Sequence, residues 1–318
     1  MGFKLLILGP FAGEDWPAKI ANAVPGVEVI APKSESEAMV AIETADAAYG
    51  TVPPRMLARA RKLRWIAAPL AGLGGSWFYK ELVESDVVVT NMRAIYNEHL
   101  SAHAVAFVLA FARRFDHYLG RQSRGIWAHD AEMIDLPSKT ALVVGVGGAG
   151  AEIARLLAAF GMRVLGVDPR TTEKPAGMSD LATPARLDEM LGEADFVVLT
   201  TPETPQTRGM FNAQRFARMK RGSYFVTISR GVCVVTDDLV DALRSGHLAG
   251  AGLDVADPEP LPPNHRLWTM PNVLLTPHVA IYGSPHDHER REALLIENCR
   301  RFDKGEPLLN VVDKSQWF

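Results

Sequence analysis

A chain of 318 residues with 47% hydrophobic and 22% charged side chains is long enough for two domains and too apolar for a disordered or fibrous protein. Its formal net charge of −3 gives no global reason to expect nucleic acid or an anionic membrane as partner, so any anion site has to be local. The two cysteines, Cys233 and Cys299, stand far apart with no CxxC or Cys/His cluster, which argues for buried thiols rather than a metal centre or redox pair.

The first residues form a short apolar run with one lysine and no small-residue cleavage site, read as a strand rather than a targeting peptide. No apolar stretch approaches the roughly 18 residues of a membrane span, and a soluble, cytoplasmic protein is expected. Apolar runs at 4–8, 27–30, 45–49, 63–68 and 87–90, with helix-like stretches such as 16–23 and 54–60 between them, predict a parallel sheet covered on both faces. Residues 98–118 suit one long buried helix connecting this unit to a second. Six further runs follow, at 141–144, 163–167, 196–200, 224–228, 249–253 and 273–276, and match a doubly wound nucleotide-binding domain. A last helix over 284–302 leads into a tail too short to be a domain, which is expected to return to the first unit. The predicted fold is therefore α/β, two Rossmann-like doubly wound parallel-sheet domains. The discontinuous one spans 1–96 with 283–318, and the other 97–282.

The second series opens with a strand, a glycine turn and a helix in immediate succession, Val144-Gly145-Val146-Gly147-Gly148-Ala149-Gly150. Gly145 permits the tight turn, Gly147 lets backbone approach a pyrophosphate, and Gly150 lets helix and strand pack closely. The amides of Gly148 and Ala149 open the helix toward the phosphates. Asp168 ends the next strand at the distance expected of an acid that accepts ribose hydroxyls. That carboxylate favours NAD over NADP, while Arg170 beside it keeps NADP open.

Three ionisable residues lie at or beyond the carboxyl ends of later strands, where open α/β sheets hold ligands. Arg230 carries a fork of donors suited to a carboxylate and a neighbouring carbonyl. Glu259 sits in the extended loop Asp257-Pro-Glu-Pro-Leu-Pro262, and His278 closes Thr276-Pro-His. Taken singly, each reads as easily as a surface arginine, a loop acid and a structural histidine.

Together with the glycine turn, these residues resemble the D-isomer-specific 2-hydroxyacid dehydrogenases over nearly the whole chain. That family carries an arginine in Ser-Arg-Gly, a glutamate in a Pro-Glu-Pro-like loop and a histidine in Thr-Pro-His. The resemblance implies that Arg230, Glu259 and His278 are catalytic. Arg230 would hold the substrate carboxylate and polarise the carbonyl, His278 would exchange the proton, and Glu259 would orient the histidine and favour its protonated form. It also implies cofactor contacts from Pro202 and Thr207 in the loop beneath the dinucleotide, from Ile228 and Ser229 before Arg230, and from Asp254 to the nicotinamide carboxamide. Substrate contacts are expected from Leu70, Ala71, Gly72 and Leu73, although Gly72-Leu-Gly departs from the family's usual Gly-Val-Asp. Ala102, before the helix-borne His103, is a second departure, where many relatives have glutamate.

The implied reaction is NAD(P)H-dependent reduction of a small 2-oxo acid, as in glyoxylate or hydroxypyruvate reductases. Glu259 separates the chain from formate dehydrogenases, which carry glutamine there. The alternative, a dinucleotide-sensing corepressor with little turnover, ranks behind this because no added peptide-binding region is read in the sequence. His286, His288 and Glu289 open the last helix and are read as its polar start, with no metal expected. Trp127 lies in the segment that helps form a homodimer in the family, and a homodimer is the expected assembly.

Overall fold

In the first unit of the molecule, strands β1 (Phe3–Ile7), β2 (Val27–Ile30), β3 (Ala47–Tyr49), β4 (Trp65–Ala67) and β5 (Val88–Thr90) form one parallel sheet in the order β2-β1-β3-β4-β5. The structure is a computed structural model that describes residues 2–9, 12–282 and 285–318. Sheet positions such as Ala47, Ala48, Tyr49, Trp65 and Ile66 are fully buried, because a strand covered by helices on both faces has no solvent side. The last helix, Pro285–Lys304, is followed by a tail that closes on this same sheet. Val311 bridges Thr90 antiparallel, Val312 N–H donates to Val89 O at 2.8 Å, and Trp317 stacks on Phe78. The unit is therefore discontinuous in sequence: it comprises the described residues through Ile95 and those from 285 on. The sequence-derived boundary at 283 and the helix start at 284 lie outside the described residues.

The second unit runs Tyr96–Tyr282. It holds β6 (Thr140–Val144), β7 (Arg163–Val167), β8 (Asp180–Ala182), β9 (Phe196–Leu199), β10 (Ser223–Thr227), β11 (Leu248–Leu253) and β12 (Val273–Leu275), all parallel, in the order β12-β11-β10-β9-β6-β7-β8. The strand order reverses between β6 and β9, the switch point where such sheets bind dinucleotides. Seven strands stand where six were predicted. The extra one, β8, is an edge strand with a single buried residue, Ala182, and its sequence Asp180-Leu-Ala182 makes no apolar run.

The single helix predicted over 98–118 is two, Asn97–Ala112 and Phe115–Gln122. Arg114 breaks it by adopting a left-handed backbone with φ of +58°, its guanidinium turned onto Asp116 at 3.3 Å. Seven residues of the first helix are buried and none of the second, so the apolar face that holds the chain to the sheet ends at Ala112. The first helix lies directly on β11. A Cβ on Gly252 would come within 2.6 Å of the Phe107 ring, and one on Gly250 within 2.9 Å of Phe111. The two glycines admit the helix to the sheet face.

Candidate active site

At the switch point, β6 ends in Gly145 with φ of +96°, and a Cβ there would meet Thr201 N at 2.9 Å. Gly150 is tighter, since its Cβ would fall 2.0 Å from Gly145 O, the atom that also accepts the Thr200 hydroxyl at 2.5 Å. Gly148 faces Asn97, 2.4 Å from where its Cβ would lie. Gly147 differs, because a Cβ there would meet nothing within 4 Å. It caps the twelve-residue helix Gly148–Ala159, which has no side-chain cap, so the amides of Gly148 and Ala149 open onto that space. Open space before an uncapped helix N-terminus fits a pyrophosphate.

Asp168 is nearly buried at the end of β7, and its carboxylate is already engaged. Oδ2 accepts Val146 N–H at 2.8 Å, while Oδ1 accepts Arg170 and Thr171 N–H, each at 2.8 Å. Burial pushes this carboxyl up, but the three amides outweigh it and hold the pKa below the ordinary value. Of the roughly four acceptor sites on a carboxylate, about one remains for a ribose hydroxyl. The Arg170 residue is exposed beside it.

The loop after β9 is organised by its own hydroxyls. Thr207 Oγ1 donates to Pro202 O at 2.7 Å and accepts Thr204 N–H at 2.8 Å, and Arg208 clamps the buried Glu203 at 2.5 Å. Ile228 and Ser229 are buried just beyond the end of β10, so a ligand there could meet only their backbone.

Arg230 follows directly, its Nη1–H donating to Ser229 O at 2.7 Å. Burial pushes its guanidinium pKa down, partly offset by the negative fields of Glu259, Cys233 and Glu203. His278 Nδ1 and Glu259 Oε2 meet at 2.8 Å, each side chain 38% exposed. A carboxylate only accepts, so the Nδ1 proton points at Glu259 and Nε2 is the nitrogen left for a reactant. Glu259 Oε1 accepts Ala256 N–H at 2.9 Å, which fixes the carboxylate from behind. Burial pushes the Glu259 carboxyl up, yet hydrogen bonds from His278 and Ala256, with the charges of His278 and Arg230, bring it below its usual value. A cavity of about 390 Å³ adjoins the pair, walled by Leu261, Trp268 and Leu275. Asp254 is fully buried at the end of β11 and directs its carboxylate into the segment that carries His278.

In the first unit, the segment 69–75 is held by Asn91. Its Nδ2 donates to Ala71 O at 2.7 Å, and Met92 N–H donates to Leu70 O at 3.0 Å. Gly72 is partly exposed, whereas Leu73 is packed into the core of this unit, so its side chain serves packing. On the last helix, His286 faces Glu289 at 3.3 Å, and His288 Nδ1 accepts the Trp16 indole N–H at 3.2 Å. Among the described residues, no three His, Cys, Asp or Glu side chains are grouped to hold a metal ion.

Sequence reading missed Thr200, which seals the glycine turn, and Thr276, which stands between Asp254 and His103. Their contacts reach strands or helices more than twenty positions away, so even for Thr276, which stands in the Thr-Pro-His motif, no local pattern marks those contacts.

The family model described as "D-isomer specific 2-hydroxyacid dehydrogenase, NAD binding domain" matches residues 105–280. A glyoxylate reductase of Korarchaeum cryptofilum is 33% identical over 303 residues, 92% of this chain and 88% of that protein. A D-isomer specific 2-hydroxyacid dehydrogenase of Xanthobacter autotrophicus, solved with NADPH and MES, superposes with a TM-score of 0.86 at 31% identity over 100% of both chains. An NADPH-dependent glyoxylate/hydroxypyruvate reductase of Sinorhizobium meliloti, solved with NADP and sulfate, gives 0.85 at 29% identity, covering 99% of this chain and 100% of that one. Among the described residues, no helix is long and apolar enough to cross a membrane.

Proposed function

The chain belongs to the D-isomer specific 2-hydroxyacid dehydrogenases, and from that membership we propose that it reduces a small 2-oxo acid of the glyoxylate or hydroxypyruvate class to the D-2-hydroxy acid, with NADPH or NADH as reductant. The observation that carries this reading is the hydrogen-bonded Glu259–His278 pair in the unit that also bears Arg230 and the glycine turn.

When bound, the dinucleotide supplies the hydride that adds to C2 of the substrate. The chain's own groups do the rest. Arg230, poor in solvent and tethered to Ser229 O, offers its fork to the substrate carboxylate and to the oxygen on which negative charge develops. His278 delivers a proton from Nε2 to that oxygen while Nδ1–H stays on Glu259, so C2=O becomes H–C2–OH. In the oxidative direction Nε2 takes the proton back. Glu259 holds the ring in place and balances its positive charge.

The open space at Gly147, the uncapped helix and Asp168 support a dinucleotide on the second unit. With about one acceptor site free on Asp168 and Arg170 beside it, both NADPH and NADH are proposed to be accepted. A homodimer is proposed through the helix Phe115–Gln122 and the segment after it, where Phe115, Leu119, Ile126 and Trp127 are exposed around an apolar groove of about 680 Å³. A cytoplasmic location fits the two buried free thiols, to be checked by cell fractionation.

The deciding experiment follows NADPH and NADH oxidation with glyoxylate, hydroxypyruvate, pyruvate and phenylpyruvate, beside the Arg230→Ala variant. Turnover of the small acids that collapses in the variant is expected. Binding of both dinucleotides without turnover of any acid would overturn the reading.

A further inference from the structure

His278 carries its imidazole from a left-handed backbone, φ +53°, which residues other than glycine rarely adopt unless neighbouring bonds hold them there. Those bonds converge on one residue. The Asp254 carbonyl accepts His278 N–H at 2.7 Å, its Oδ1 accepts Val279 N–H at 2.9 Å and the Thr276 hydroxyl at 2.7 Å, and its Oδ2 accepts Ala280 N–H at 3.0 Å. The residues on both sides of the histidine are thus hung from a buried carboxylate.

The chain of bonds continues beyond it. Thr276 Oγ1 has given its one proton to Asp254, so it can only accept from His103 Nε2, 2.9 Å away. His103 therefore bears its proton on Nε2. It projects from the helix Asn97–Ala112, edge-on to the Phe107 ring at a centroid distance of 5.0 Å, and Phe107 itself sits on Gly252. The core helix is linked through His103, Thr276 and Asp254 to the segment that aims the acid.

We propose that His103, Thr276 and Asp254 are positioning residues for His278, fixing its turn on the core helix so that Nε2 stands where the proton is needed. The proposal rests on the assignment of His278 as the acid. Because a displacement of about 1 Å at a reacting group can lower turnover about a hundredfold, small losses of anchoring are measurable.

The test has a kinetic and a spectroscopic arm. Thr276→Val keeps the shape and removes the hydroxyl. It is expected to lower kcat for glyoxylate reduction by about tenfold to a hundredfold and leave the dinucleotide Kd within about twofold, with Thr276→Ser restoring kcat to within about threefold. Side-chain ¹⁵N NMR of the dinucleotide-free protein should report His103 as the Nε2–H tautomer, whether or not any variant folds. A wild-type kcat in Thr276→Val, or His103 found as Nδ1–H, would overturn the proposal. His278→Ala separates the two readings: full turnover in it refutes the acid assignment, whereas a dead His278→Ala beside a fully active Thr276→Val refutes the positioning alone.

Discussion

Replacing Asp168 by asparagine tests whether this carboxylate builds the glycine turn before any dinucleotide arrives. Asparagine can still accept from Arg170 and Thr171 through its oxygen, but its amide nitrogen then faces Val146 N–H, donor against donor. Val146 is 2% exposed, so its amide would be left without an acceptor, at about 1–3 kcal/mol. The two outer amides exchange a charged acceptor for a neutral one beside water, which adds about 1 kcal/mol. A loss near 3 kcal/mol in a unit of this size lowers Tm by roughly 6–12 °C. The measurement is thermal unfolding of the dinucleotide-free protein by circular dichroism, with Asp168→Ala alongside. The sign of the pH dependence follows from a folded pKa held below its value of 3.8 in the unfolded chain. The contribution is complete above that unfolded value and is lost as pH falls through the folded one. The gap between wild type and variant should therefore be constant from about pH 8 to 5 and shrink below about pH 4. An asparagine variant that melts within about 1 °C of wild type at neutral pH, or a gap that persists unchanged at about pH 3, refutes the reasoning.

Glu259→Gln keeps an acceptor for His278 Nδ1 but removes the charge. The pair is 38% exposed on each side, and solvent screening leaves about 1–2 kcal/mol of the attraction, so kcat for glyoxylate reduction at pH 7.5 should fall about fivefold to thirtyfold with the dinucleotide Kd unchanged. Steady-state rates equal to wild type would contradict it. Gly252→Ala places a Cβ 2.6 Å from Phe107 and should destabilise by about 1–3 kcal/mol, read as a lower urea midpoint at constant m-value. An unchanged midpoint would mean the helix is not seated on β11. Ile126→Glu with Trp127→Glu puts charge on the exposed apolar arm, and light scattering should show a monomer where a dimer is expected of the wild type. A dimer that survives both changes places the interface elsewhere.

Both sheets were legible because a strand buried on both faces reads as an unbroken apolar run. Phe196–Leu199 is buried at all four positions and needs no periodicity to be found. The glycine turn was legible for a stronger reason, since its glycines answer to separate constraints: a positive φ at Gly145, open space at Gly147 and, at Gly150, a carbonyl 2.0 Å from where a Cβ would lie. The strand β8 was not, because Asp180-Leu-Ala182 does not make the unbroken apolar run that betrays the equally short edge strands β5 and β12. The break at Arg114 was not either, because arginine carries no turn signal and adopts its left-handed backbone where the buried helix face runs out. Spacing located Asp168 and the family resemblance located Asp254, but neither gave a hint of which amides surround them. His103 lies 173 positions from Thr276, and only the fold brings them together.

Asp168 and Asp254 share an arrangement that bears on how the site is assembled. Each ends a parallel strand, β7 or β11, each is nearly or fully buried, and each turns its carboxylate onto backbone amides: the glycine turn and the loop after β7 in one case, the His278 segment in the other. Seen as ligand contacts alone, they would contribute only when cofactor is present. With these bonds formed in the chain itself, the amides are fixed in advance, and the ordering that binding would otherwise require is already part of folding. His278 and Glu259 differ in kind: both are 38% exposed, and among the described residues their side chains hydrogen-bond to each other and to one backbone amide. On the proposed assignment the buried acids govern whether the loops exist in working form and the exposed pair governs what they do, so the first class of substitution should register in melting curves and the second mainly in turnover.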